Sequence, residues 1–191
     1  MKSRCSWALV LALVWGLPAS VVQAASPTAF ALVKEGNKYV APEGKNRITQ
    51  IFSEKSDKSL VPNVWYIDYL DPKASFRTTE IKFVDGKMAS IKEPKRWYDA
   101  LNGSRQLDWK KLKVDSNGAL SIAQKEPMLK NQGVRAVQFT LARTPTGSMW
   151  KIHFWTAKVG NPSETVDAGE LEISTKNGAI LNNGLHTEHV N

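Results

Sequence analysis

Nucleophile, base and metal-ligand chemistry has few candidates in this sequence. It holds one cysteine, Cys5, and three histidines, His153, His186 and His189. Cys5 lies in an N-terminal segment that reads as removable, so thiol catalysis drops out. A Ser-His-acid site needs one of the imidazoles and a serine on a Gly-flanked nucleophile turn, and no serine stands in one. His186-Thr187-Glu188-His189 sets two imidazoles three residues apart around a carboxylate. A frayed terminus cannot fix ligand geometry, so that run suggests a weak adventitious site at most. Asp68 and Glu80 are the acids that adjacent strands would bring together. Glycoside hydrolysis by such a pair requires two carboxyls facing each other in a cleft. Charges beside Lys82 and Lys151 on an open sheet face have a simpler reading as cross-strand neighbours. There is no phosphate-cradling Gly loop and no calcium loop. The expectation is a protein that is not an enzyme, with no catalytic residue, metal or cofactor; a small envelope hydrolase using Asp68 and Glu80 is one alternative, an envelope ligand carrier another.

The aromatic residues are more informative. Trp65, Ile67 and Tyr69 alternate with Tyr66, Asp68 and Leu70, and Trp150, Ile152 and Phe154 alternate with Lys151, His153 and Trp155. This is the two-residue period of strands with unlike faces. The sets led by Trp65 and Trp150 are expected to meet helices. The opposite face then displays Tyr66, Asp68, Lys151, His153 and Trp155, aromatic anchors among polar groups, as binding surfaces have. Those five are the candidate partner-binding residues. The competing reading makes this face core, covered by Trp97, Tyr98 and Trp109; seven tryptophans in the full chain leave both open.

The elements that must position these residues follow from local pattern. Lys2 and Arg4, the apolar run Cys5 to Leu17, Pro18 and the small residues at Val22-Gln23-Ala24 read as a signal peptide over residues 1–24. The run is short of the roughly 20 residues a membrane helix needs, so no transmembrane segment is expected after cleavage. The protein is then exported, periplasmic or secreted, and without cysteine it relies on its core alone. The formal charge of +8 falls by two with the leader. Basic residues are scattered among acids throughout, which reads as a solvated basic surface, and an exported chain makes nucleic acid the least expected partner. Ser26-Pro27-Thr28 opens a short helix that stops at Gly36, and Asp115-Ser116 caps a second that Pro127 kinks or shortens. Strands are expected at Arg47 to Ser53, Val64 to Leu70, Arg77 to Val84, Met88 to Ile91, Val134 to Arg143, Trp150 to Trp155, Gly169 to Ser174 and Ala179 to Leu181. Asp85-Gly86 and Asn177-Gly178 are the turns, the second of type I′. In the strand from Arg47, Ile48, Gln50 and Phe52 share one face.

The halves run in one order, helix then strands then a Gly turn, which suggests a duplicated unit. The run Glu170-Leu171-Glu172-Ile173-Ser174-Thr175-Lys176-Asn177-Gly178-Ala179-Ile180-Leu181 resembles the closing strand, turn and return of PepSY-like domains, and Asp115 to Ala123 resembles their opening helix. The tandem arrangement is similar in outline to the β-lactamase-inhibitor-protein fold. The resemblance implies an exported binding or peptidase-inhibitor-like module with a protein or peptide partner. The expected fold class is α+β, two tandem helix-on-antiparallel-sheet (α-β-β-β) units. They would occupy residues 25–92 and 114–182, with a packed linker at 93–113, a flexible tail at 183–191, and either separate or merged sheets. The oligomeric state is not legible.

Overall fold

A computed structural model describes residues 26–56, 59–95, 106–130, 133–158 and 160–186. The leader, Trp97, Tyr98 and His189 lie outside them. Eight strands form one antiparallel sheet: β1 (Ile48–Ser53), β2 (Val64–Leu70), β3 (Thr78–Val84), β4 (Lys87–Lys92), β5 (Val134–Thr144), β6 (Gly147–Lys158), β7 (Asn161–Ser174) and β8 (Ile180–Asn183). Their spatial order is β4-β3-β2-β1-β5-β6-β7-β8. Three short α-helices, α1 (Ala29–Gly36), α2 (Ser116–Ala123) and α3 (Pro127–Lys130), and 3-10 turns at Pro42–Gly44 and Trp109–Lys111 lie among the described residues. α1 packs on β2 and α2 on β6.

The expected pair of helix-on-sheet units is therefore corrected. The chain builds one continuous eight-stranded sheet, because β1 and β5 pair with each other through Gln50–Ala142, Ile51–Leu141 and Phe52–Thr140. The apolar layer beneath is also one body. Trp65 and Trp150, expected each under its own helix, meet edge to face with ring centroids 6.5 Å apart. Phe30 of α1 reaches across to Trp150 at 6.3 Å. Leu107 and Leu112, from the connection between the halves, are buried in the same layer. Trp109 meets Phe30 at 4.9 Å, so it packs on the helix side and does not cover the outward face.

The helix starts explain why the halves cannot separate. Thr28 caps α1 by accepting from the Ala31 N–H, but the two donors before it are satisfied from α2. Ser116 Oγ accepts from the Ala29 N–H and Asp115 Oδ1 from the Phe30 N–H. Asp115 Oδ1 also accepts from the Ser116 N–H as the cap of α2. One carboxylate thus serves two helix N-termini, where backbone donors and dipoles favour negative charge. α2 ends at Ala123, ahead of the break at Pro127, which opens α3.

Three local readings also change. Ile48 and Ile51 are both fully buried. A bulge between Ile48 and Gln50 shifts the phase of β1, leaving Gln50 and Phe52 outward and Ile48 inward. Asp85 and Gly86 are both left-handed, φ 49° and 78°, as a type I′ turn requires, but of Asn177-Gly178 only Gly178 has positive φ. That turn is longer, closed by Gly178 N–H to Ser174 O and Ser174 N–H to Ala179 O. β7 begins at Asn161, eight residues before the expected start at Gly169, and residues 183–186 continue pairing through Gly184 N–H to Glu170 O and His186 N–H to Ala168 O. A side chain on Gly169 (φ 88°) would collide with the Gly184 carbonyl, so this close approach depends on glycine.

Candidate functional site

The outward face is built by register. Tyr66 lies opposite Phe52, Phe52 opposite Thr140, Thr140 opposite Lys151 and Lys151 opposite Glu172, one row across β2, β1, β5, β6 and β7. His153 sits one pair further along, between Gln138 and Glu170, and Trp155 next, between Ala136 and Asp167. Tyr66 and Lys151 are three strand spacings apart, roughly 14 Å. Helices α1 and α2 and Trp109 occupy the other side of the sheet. Tyr66, Lys151, His153 and Trp155 are half-buried.

Two aromatic pairs stand on this face. Phe52 and Tyr66 stack nearly parallel, 7° apart in plane and 4.8 Å between centroids. Lys82 Nζ lies 5.1 Å over the tyrosine ring, and the Tyr66 hydroxyl donates to Glu54. Its donation, with Lys82 beside it, holds the Glu54 carboxyl below the usual carboxylate range. His153 and Trp155 form the second pair at 4.3 Å, with Lys55 Nζ 4.2 Å over the indole. A lysine over an aromatic face contributes about 0.5–1 kcal/mol at exposed sites, so these contacts position side chains more than they stabilise the fold.

Asp167 ties the second pair down. Its Oδ2 lies 2.8 Å from His153 Nε2, its Oδ1 accepts from the Gly169 N–H, and His186 Nε2 is 3.8 Å away. An ionised carboxylate only accepts, so the His153 Nε2 carries the proton. Partial burial pushes the Asp167 carboxyl up, but the Gly169 N–H and His153 outweigh it and leave it below its ordinary value. Lys151 bridges Glu170 at 2.9 Å and Glu172 at 3.6 Å, and Glu170 raises its ammonium above the usual lysine value.

No family model, no curated protein and no solved structure matches this chain.

Of the five candidate residues, four share the open face and Asp68 does not contribute to its surface. Asp68 is 1% exposed. Its partners on the neighbouring strands are Gln50 and Glu80. Asp68 and Glu80 are direct cross-strand partners, but they sit side by side in a sheet, not across a cleft as a hydrolytic pair would. Among the described residues no group of three or more His, Cys, Asp or Glu is arranged to hold a metal. Sequence reading missed Phe52, Lys55, Lys82 and Asp167. Phe52 was hidden by the β1 bulge. Asp167 was hidden because its stretch of β7 is polar and mostly exposed, without an apolar period.

Proposed function

We propose that this is an exported, non-catalytic binding protein that takes a protein or peptide partner on the open face of its sheet. The observation that carries this reading is the pair of partly exposed aromatic couples, Phe52–Tyr66 and His153–Trp155, each beneath a lysine. Pre-ordered rings lose little side-chain freedom on contact, which is why interface anchors are so often Tyr and Trp. Lys55 over the Trp155 ring and Lys82 over the Tyr66 ring offer cations to an acidic partner segment. The likeness of residues 170–181 to PepSY-like domains, a family without catalytic residues, points the same way.

A random-peptide display library is the probe. Wild-type protein should enrich extended sequences with acidic residues, and the Tyr66→Ala/Trp155→Ala variant should bind the selected peptides about tenfold or more weakly. Enrichment of nothing, or equal binding by the double variant at an unchanged unfolding midpoint, would remove the face as the site.

A further inference from the structure

Seven of the scattered basic residues of the sequence are brought together by the fold. Residues 106–114 run along the ends of the central strands. They are held there by Leu107 N–H to Ile48 O, by the Arg143 guanidinium to Gln106 O, and by the Lys113 and Val114 N–H groups to Thr175 O. Between this segment and the strand ends lie two open clefts of about 610 and 540 Å³ that share Asp108, Lys110 and Arg143 and so form one trough. Lys45, Arg47 and Arg143 line its first part, with Trp109. Lys110, Lys111, Lys113 and Lys176 line the second. Seven cations face one carboxylate, Asp108, which Lys111 already engages at 2.8 Å.

The other six have no carboxylate within ion-pair distance among the described residues, and what sets them apart from unpaired lysines elsewhere is that they line one continuous concavity. Concentrating unpaired like charge costs stability through self-repulsion, and only an anion from outside relieves it. The trough spans the ends of β1, β5, β6 and β7, three strand spacings or roughly 14 Å. That is too long for a single small anion and suits a chain of them. Its concave walls do not suit a planar membrane. Five of the seven cations are lysines, point charges that impose no planar geometry on what they bind. A single-strand nucleic-acid groove would offer a run of aromatic platforms for successive bases, and Trp109 is the one ring lining this trough among the described residues.

We propose that the trough binds a linear acidic polysaccharide, its successive anionic groups lying along the lysines between Lys45 and Lys176. This site is separate from the open sheet face and does not depend on it. The probe is a heparin-derived oligosaccharide titrated at low salt. Wild-type protein should bind it and lose affinity steeply between roughly 50 and 200 mM salt. Lys110→Gln/Lys113→Gln/Lys176→Gln removes three exposed side chains, so the fold should survive, with an unchanged unfolding midpoint as the check. It should bind about tenfold or more weakly. Lys87→Gln/Lys125→Gln/Lys130→Gln removes the same charge from exposed residues that line neither cleft and should change affinity less than about twofold. Equal losses in the two triple variants would reduce the effect to net charge and overturn the site. Absence of wild-type binding would overturn it as well. Tighter binding to an equally charged single-stranded oligonucleotide, or to vesicles of anionic lipid, would overturn the choice of ligand.

Discussion

The carboxyls of Glu54 and Asp167 each stand at one aromatic pair of the open face, and both titrate below their ordinary range. A group whose pKa is depressed by folding contributes stability that is present above its unfolded value. That contribution is lost as pH falls through the folded one. Stability should therefore decline from about pH 4 downward. Urea midpoints followed down to about pH 2 should fall less steeply for Glu54→Gln/Asp167→Asn than for wild type. Parallel acid limbs would show that these carboxyls gain nothing from Tyr66, Lys82, Gly169 and His153. Lys151 is shifted the other way, upward, so its contribution is complete at neutral pH and is lost only as pH rises past the usual lysine value.

At the level of elements, the shared capping of α1 and α2 matters more than the propensity of either helix, since each is only eight residues long. Asp115→Ala removes the acceptor for the Phe30 and Ser116 N–H groups together. The cost should be roughly 2 kcal/mol, the upper end for a helix cap, and Asp115→Asn should recover part of it. Urea unfolding of the three proteins measures this; an alanine variant within about 0.5 kcal/mol of wild type would mean water replaces the carboxylate at both helices. The β1–β5 seam uses side chains in the same way. Ser53 Oγ accepts from the Phe139 N–H and Ser56 Oγ from the Val137 N–H, extending a ladder that has only three residue pairs. Neither device has a sequence signature, because a serine that completes a strand pair looks like any loop serine.

For the whole molecule, one sheet over one core predicts one unfolding transition. Trp65, Phe139 and Trp150 form a ring cluster drawn from β2, β5 and β6, with centroids 5.6 to 6.5 Å apart, so loss of either half strips the other. Tryptophan fluorescence and far-ultraviolet circular dichroism should give coincident urea curves. Two separated transitions would restore independent units. The outer edges fit the same picture. β4 carries Lys87 and Lys92 at its ends, charges that discourage further strand pairing where Met88 and Ile91 are exposed.

Alternation in the sequence was enough to place the strands, apart from the polar first half of β7, and the inward sets Trp65–Ile67–Tyr69 and Trp150–Ile152–Phe154, all buried to 2% exposure or less. The cap at Asp115 and the helix start at Ser26-Pro27-Thr28 were legible too, because strand periodicity and helix capping are set by neighbours within a few residues. Whether the halves stayed apart was decided by tertiary structure alone, since the β1–β5 pairing and the Trp65–Trp150 contact join residues nearly half the chain apart. The bulge in β1, the burial of Asp68 and the gathering of lysines at one end of the sheet have the same origin. Each depends on which strands become neighbours, and no local pattern encodes that.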